Sequence, residues 1–146
     1  MKKIIISALL LLSTSSLFSA PATKEESDAM GKKIVGYFPD WGVYGAHRNY
    51  EVSQIPWSKL THVNLAFVDI EPDTFKLKPA DSGADIDRSY GEAWKSEYKG
   101  NYGQLRKYKV KYPHVTVMMS IGGWTLSGQF ALVAKPENVK AFARNS

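Results

Sequence analysis

The run VNLAFVDI, residues 63–70, is almost continuously apolar and indicates the fold class. A strand with one solvated face alternates apolar and polar residues, whereas a strand covered on both faces does not. The runs IVGYF (34–38) and VTVMMSI (115–121), one on either side of it along the chain, have the same β-like apolar character. The sequence therefore predicts three strands of the kind found in parallel sheets.

Helical patterns lie between and after these strands. Gly100 and Asn101 open one helix, with Asn101 predicted as its N-cap, and Pro113 ends it. Its apolar positions recur at helical spacing, namely Tyr102, Leu105, Tyr108 and Tyr112. The stretch SQIPWSKL (53–60) predicts one or two helical turns, and the residues at 135–137 begin a last helix.

The order strand, helix, strand, helix, strand, helix indicates an α/β fold with a parallel sheet. A long, polar connection from Glu71 to Tyr98 is predicted to be irregular. Two closures of the sheet remain open from periodicity alone. One is a small doubly wound sheet, and the other is part of a (β/α)₈ barrel, which typically needs about 250 residues.

The N-terminus has the pattern of a secretory signal peptide. Lys2 and Lys3 precede the apolar run 4–12, and Ala20-Pro21-Ala22 offers a small-residue exit. We therefore predict a signal peptide over residues 1–22, a polar leader over 23–32 and a folded region over 33–146. The protein is expected to be exported, to the periplasm or outside the cell. The apolar run is too short for a membrane span, which needs about 20 residues.

Composition argues against several kinds of site and partner. The formal net charge is +5, but lysine and arginine are dispersed without a basic stripe, so no nucleic-acid partner is expected. There is no cysteine, hence no disulfide framework and no thiol nucleophile. His47, His62 and His114 show no metal-ligand spacing. We expect neither a metal nor a cofactor.

Aromatic and small polar residues cluster where the predicted strands end. The clusters cover residues 37–44, 64–69 and 120–124, and the carboxyl ends of parallel strands are where α/β folds build their sites. Trp41 and Trp124 each stand next to glycine in a loop, which favours presentation of the indole over burial. Phe67 lies within a strand, which by itself indicates core packing. Ser120 lacks the surroundings of a nucleophile elbow.

Three aspartates, Asp81, Asp85 and Asp87, stand close together in the long connection. The segment lacks the glycine and terminal glutamate of an EF-hand loop, and no predicted strand fixes its geometry. We therefore interpret it as a solvated loop rather than a calcium site or a catalytic carboxylate pair.

Three stretches resemble bacterial family 18 glycoside hydrolases, the chitinases. IVGYFPDWGVYG (34–45) resembles their first barrel strand and aromatic loop, and LTHVNLAFVDI (60–70) their second strand. The stretch from Tyr98 to Phe130, with SIGGW at its centre, is similar to their second helix and third strand. The resemblance implies a partial (β/α)₈ TIM barrel, about its first three βα units, preceded by the signal peptide.

The resemblance also implies a substrate and a mechanism. The substrate class is chitin or oligosaccharides of β-1,4-linked N-acetylglucosamine. Hydrolysis would be retaining and substrate-assisted, with the N-acetyl oxygen as nucleophile and a glutamic acid after strand four as proton donor. The family motif for this step, D-x-x-D-x-D-x-E, is absent from residues 1–146. We therefore expect the N-terminal part of a chitinase that is inactive and marginally folded on its own, with no catalytic residue in this chain.

Residue roles follow from the same resemblance. Tyr37 and Ser120 match residues that hydrogen-bond the buried aspartates of the missing motif. Trp124 matches an aromatic that stacks on a sugar on the leaving-group side, and Trp41 one on the non-reducing side. Phe67, Gly122 and Gly123 match the floor of the site, where small residues are expected to leave room below a sugar.

Two other hypotheses belong to different classes. One is a non-catalytic, lectin-like protein of the same family that binds chitin without cleaving it. The other is a small flavodoxin-like protein, which would need a phosphate- or cofactor-binding loop. No G-x-G-x-x-G or P-loop sequence occurs in the chain, which argues against the flavodoxin-like hypothesis.

Overall fold

A computed structural model describes residues 31–146, and its centre is a sheet of four strands. These are β1 (Val35–Pro39), β2 (His62–Ile70), β3 (Leu77–Pro79) and β4 (Thr116–Ile121). Strands β1 and β4 flank β2 and run parallel to it. The sequence predicted these three strands to within one residue at each end. The predicted signal peptide, residues 1–22, and most of the polar leader lie outside the described residues.

The connection between β2 and the first helix is more ordered than its sequence suggests. It contains β3, which pairs antiparallel with the last residues of β2, and a single π-helical turn at Gly83–Asp87. Val68 pairs with Pro79 of β3 and also with Ile121 of β4, so β3 and β4 lie on opposite edges of β2. The prediction of an irregular connection is therefore wrong in these two places.

Three helices follow: α1 (Gly100–Lys111), α2 (Phe130–Val133) and α3 (Pro136–Asn145). Leu105 of α1 is buried in the core, and the partly buried rings of Tyr102, Tyr108 and Tyr112 pack against that core. This confirms the predicted apolar positions. The predicted N-cap is wrong, because Lys99 occupies that position. Asn101 lies inside the helix and is fully buried. Short 3₁₀ turns at Val52–Gln54 and Trp57–Lys59 confirm the predicted helical turns.

The core is built on one face of the sheet. Phe38 and Leu65 are level in the β1–β2 pairing and are 1% and 0% exposed. Residues level with each other on parallel strands project to the same face. Tyr37, Asn64 and Met118 are level on the opposite face, where Tyr37 is 62% and Met118 41% exposed. We call this second face the open face of the sheet.

Trp57 fixes α1 to the segment between β1 and β2. Its indole is 2% exposed, and the indole N–H donates to the Val52 carbonyl over 2.9 Å. The rings of Tyr108 and Tyr112 stack on it with centroids 5.6 and 6.0 Å away. A buried tryptophan with its polar atom satisfied contributes its full apolar area to stability.

Candidate functional site

The carboxyl ends of β1, β2 and β4 meet at one edge of the sheet and form a cleft. Its volume is about 440 Å³. The three clusters predicted from sequence therefore lie together, because parallel strands bring their ends to the same edge. We call this cavity the aromatic cleft, and its lining residues are Asp40, Trp41, Phe67, Ala80, Asp81, Trp124, Thr125 and Leu126.

Three aromatic side chains dominate the aromatic cleft. Trp41 lies in the 3₁₀ turn that follows β1, and its ring stacks on Phe67 with centroids 6.0 Å apart and an angle of 29°. Trp41 is 40% exposed. Trp124 follows β4 and is 99% exposed, so its indole is free to contact a ligand on both faces. Flat apolar surfaces of this kind suit the apolar faces of sugar rings.

Phe67 reaches the cleft through an irregularity in β2. Ala66 is level with Ser120 and Val68 with Ile121, so Phe67 has no partner on β4. A bulge of this kind changes the direction of the side chain. The peptide bond between Ala66 and Phe67 is cis. The bulge brings Phe67 to the cleft instead of leaving it packed wholly in the core, and its apolar strand context alone does not indicate this.

The two glycines after β4 are required by neighbouring rings of the chain itself. Both have positive φ, +88° at Gly122 and +89° at Gly123. A Cβ at Gly123 would lie 2.8 Å from the Phe67 ring, and one at Gly122 would lie 2.5 Å from the Phe130 ring. The space beside the backbone, which we expected to leave room below a sugar, is filled by these two side chains. The glycines therefore support the floor that Phe67 forms.

Tyr37 and Ser120 have their positions on the open face of the sheet. Ser120 is level with Ala66, two residues beyond the Tyr37–Asn64–Met118 row, so it projects to the same side. Within residues 31–146 no carboxylate is hydrogen-bonded to either hydroxyl. Asn64 lies between them on β2, and its buried Oδ1 also lacks a partner among the described residues. These polar groups give the open face hydrogen-bonding capacity next to the cleft.

The three aspartates of the connection have three different environments. Asp81 lines the cleft, where its Oδ2 accepts a hydrogen bond from the Tyr44 hydroxyl at 2.7 Å. That hydrogen bond holds the pKa of Asp81 below its ordinary value. Asp87 is exposed. Asp85 is 0% exposed, so the prediction of a solvated loop is wrong for this residue.

Asp85 belongs to a buried polar network behind Trp41. The Asn101 amide donates to Asp85 Oδ1 at 3.0 Å and to the Asp40 carbonyl at 3.2 Å, and the Tyr90 hydroxyl donates to Asn101 Oδ1 at 2.5 Å. Burial raises the pKa of Asp85 to about 7, against the opposing effect of the Asn101 hydrogen bond. Burial also raises the pKa of Asp40. The network ties the turn that carries Trp41 to α1.

Sequence reasoning missed this network because its members are separated along the chain by up to 61 residues. One local signal was available at Gly100, next to Asn101. A Cβ at Gly100 would overlap the Asp85 carbonyl, so glycine is needed where the connection crosses the helix start. The pattern Gly-Asn by itself favours a helix cap instead.

The described residues show neither a metal-ligand cluster nor a membrane-spanning helix. In residues 31–146, no group of three or more histidines, aspartates or glutamates is placed to hold a metal ion. Nor does this part of the chain contain a helix long and apolar enough to cross a membrane.

Known proteins of one family match this chain. The sequence profile described as Glycosyl hydrolases family 18 matches residues 33–146. Chitinase C of Streptomyces lividans is 40% identical over 124 residues, covering 76% of this chain and 19% of that protein. Chitinase A1 of Niallia circulans is 33% identical over 171 residues, covering 97% of this chain and 24% of that protein.

Solved structures agree with the sequence match. Chitinase ChiA74 from Bacillus thuringiensis is 37% identical with a TM-score of 0.67, over 78% of this chain and 24% of that one. The catalytic domain of psychrophilic chitinase B from Arthrobacter TAD20 is 28% identical with a TM-score of 0.67, over 79% and 33%. The chain thus spans a third or less of the length of these relatives. Because the profile covers most of it, this chain belongs to family 18 of the glycosyl hydrolases.

Proposed function

We propose that this chain forms the sugar-binding side of a chitinase that hydrolyses β-1,4 links between N-acetylglucosamine units. The observation that carries the proposal is the fully exposed indole of Trp124 beside the stacked rings of Trp41 and Phe67. An apolar residue of this size is rarely left in water without a binding role when it lies in a cleft. The names of the family 18 relatives supply the substrate class.

The proposed architecture is the first three βα units of a (β/α)₈ barrel. Strands β1, β2 and β4 are parallel neighbours in chain order, as successive barrel strands are. The open face would be the barrel interior. We further propose that residues 1–22 direct export, because chitin is a polymer found outside the cell and the N-terminus has the signal-peptide pattern.

The proposed chemistry is substrate-assisted and retaining, as the family resemblance implies. The acetamido oxygen of the sugar would attack the anomeric carbon while an acid protonates the leaving oxygen. No residue of this chain is assigned as that acid. Trp124 and Trp41 would stack on sugar rings on the two sides of the cleaved bond. The hydroxyls of Tyr37 and Ser120, on the open face, would hold carboxylates by hydrogen bonds and so tune their pKa values.

Binding of a soluble sugar tests the proposal. Here the full-length protein means the whole chitinase of which this chain is proposed to form the sugar-binding side. Calorimetric titration of the full-length protein with the tetramer of N-acetylglucosamine should show that Trp124→Ala weakens binding about tenfold or more. A loss of this size corresponds to a buried aromatic contact. Trp94→Ala is the matched control, because Trp94 is 84% exposed but does not line the cleft. It should change affinity by less than about twofold. Equal losses in both variants would contradict the assignment of Trp124.

Hydrolysis separates an enzyme from a lectin-like protein. The full-length protein should release the fluorophore from a fluorogenic chitobioside, and it should do so with retention at the anomeric carbon. Binding of the tetramer without any release would favour the non-catalytic protein of the same family. Absence of both binding and hydrolysis would overturn the proposed substrate class.

A further inference from the structure

Asp81 stands in the aromatic cleft with its carboxylate held in place at both oxygens. The Tyr44 hydroxyl donates to Oδ2 at 2.7 Å, and the Ala84 amide donates to Oδ1 at 3.0 Å. Asp81 is partly exposed and lines the cleft with Trp41 and Trp124. Its remaining lone pairs can therefore accept hydrogen bonds from a ligand without reorganisation of the side chain.

The charge of this carboxylate is stable and locally uncompensated. The Tyr44 hydrogen bond lowers the pKa of Asp81, so the group is ionised in neutral and mildly acidic solution. Among the described residues, those that line the cleft include no lysine, arginine or histidine. The cation closest in sequence, Lys78, pairs instead with Asp69 at 3.5 Å and with Glu71 at 3.1 Å. The aromatic cleft therefore presents one fixed negative charge beside two indoles.

A second acidic side chain faces the cleft from below. Asp40 lines it, is only 2% exposed, and has an Oδ2 atom without a hydrogen-bond partner in the described residues. The negative charge of Asp81 contributes to raising the pKa of Asp40. Two carboxyl groups in one cleft favour a ligand that brings a positive charge or several hydrogen-bond donors.

The sugar units of natural chitin differ in charge. N-Acetylglucosamine is neutral, whereas glucosamine, the deacetylated unit, carries an ammonium group in mildly acidic solution. An ammonium forms charge-assisted hydrogen bonds with a carboxylate and is attracted to the face of an indole. Asp81 lines the same cleft as Trp41 and Trp124, so the cleft offers both a carboxylate and indole faces.

Building on the proposed function, we infer that the Asp81 side of the aromatic cleft prefers a glucosamine unit, which extends the substrate class to partly deacetylated chitin. The preference concerns one sugar position in the cleft. It leaves the requirement for an N-acetyl group at the cleaved bond unchanged, because that group is the nucleophile in the proposed reaction.

Calorimetric titration of the full-length protein with two tetramers tests the inference. One tetramer is fully acetylated and the other fully deacetylated, and both are measured in mildly acidic buffer. Asp81→Asn should weaken binding of the deacetylated tetramer by about two- to fivefold, the size of a partly exposed ion pair. Its effect on the acetylated tetramer should be smaller, because that tetramer brings no ammonium group and the asparagine amide oxygen can still accept the Ala84 hydrogen bond.

Salt dependence of the unaltered protein gives a second test that needs no variant. High salt should weaken binding of the deacetylated tetramer and spare the acetylated one, since salt screens a partly exposed charge pair. Tyr44→Phe, which removes a hydrogen bond to Asp81 but keeps the charge, should retain the preference. Equal losses for both tetramers in Asp81→Asn, or salt dependence equal for both, would overturn the inference.

The outcomes also separate this inference from the proposed function. Binding of the acetylated tetramer with no contribution from Asp81 to the deacetylated one would overturn the glucosamine preference and leave the chitinase proposal standing. Binding of neither tetramer would overturn both.

Discussion

The aromatic cleft and the packed interior use the same residue types in opposite ways. Trp124 in the cleft is 99% exposed, whereas Trp57 in the interior is 2% exposed with its N–H satisfied by a carbonyl. Asp81 and Asp85 lie one turn apart, yet the pKa of Asp81 is lowered by a hydrogen bond and that of Asp85 is raised by burial to about 7. The environment, and not the residue type, separates the exposed side chains of the cleft from the buried side chains of the interior.

The comparison has an energetic consequence. Interior residues should contribute to the free energy of unfolding, and cleft residues should contribute to ligand binding with little effect on that free energy. The two regions meet at Trp41 and Phe67, which line the cleft but rest on the Asn101 network and on Gly123 respectively. The following substitutions test how cleanly the two regions separate.

The largest effect is expected for Trp57→Ala. Removing a buried indole and its stacking on Tyr108 and Tyr112 should lower the free energy of unfolding by about 3–5 kcal/mol. Urea denaturation followed by circular dichroism measures the change. Trp94→Ala is the matched control and should stay within about 0.5 kcal/mol, because Trp94 is 84% exposed. A similar loss in both would show that the interior does not depend on Trp57.

Asp85 should make stability depend on pH. Its pKa is about 7 in the folded protein against an ordinary 3.8, so between these values the folded state holds a proton that the unfolded state has released. The free energy of unfolding should therefore fall as pH rises through this window, by up to about 1.4 kcal/mol per pKa unit of difference. Denaturation midpoints at a series of pH values measure the slope.

Two variants test whether Asp85 causes this pH dependence of the free energy of unfolding. Asp85→Asn should flatten it and raise the stability above pH 7 or so, because the amide brings no buried charge. The raised pKa of Asp40 has the same sign and should leave a smaller slope. Asp81→Asn should not flatten the slope, because the pKa of Asp81 is lowered and its effect has the opposite sign. Ionised Asp81 stabilises the folded state above its ordinary pKa, and this stabilisation is lost as pH falls. An unchanged slope in Asp85→Asn would contradict the assignment.

Gly123→Ala is expected to lower the free energy of unfolding by less than Trp57→Ala does. The residue has a φ of +89°, and the added Cβ would lie 2.8 Å from the Phe67 ring. Backbone strain and the displaced ring should together lower the free energy of unfolding by about 1–3 kcal/mol. Gly128→Ala is the matched control, since nothing lies within 4 Å of a Cβ there. Equal stability of the two variants in thermal denaturation would argue against the close approach of Phe67.

The smallest effect on stability is expected for Trp124→Ala. With 99% of the residue exposed, its loss should change the free energy of unfolding by less than about 0.5 kcal/mol. The same denaturation assay measures this, beside the binding loss described above. A large destabilisation would mean that Trp124 packs against the protein, and it would weaken the separation of the two regions.

Much of the fold could be predicted because strand and helix signals are local. The apolar runs placed β1, β2 and β4 within one residue, and helical spacing placed Leu105 in the core. The rule that parallel strands end at one edge predicts from the sequence that Trp41, Phe67 and Trp124 lie together. Errors occurred where a distant partner overrides a local preference. Asn101 has a good capping side chain, but Asp40 and Asp85 engage it in the interior.

The sequence by itself determined the α/β class, the strand positions, the three aromatic clusters and the family, because these depend on periodicity and on motifs read in order along the chain. Only the tertiary structure decided that Asp85 is buried while Asp81 faces the cleft, that β3 pairs with β2, and that Phe67 and Phe130 fill the space beside the two glycines. The physical reason is that burial, and with it pKa and close packing, depends on contacts between residues far apart in the chain.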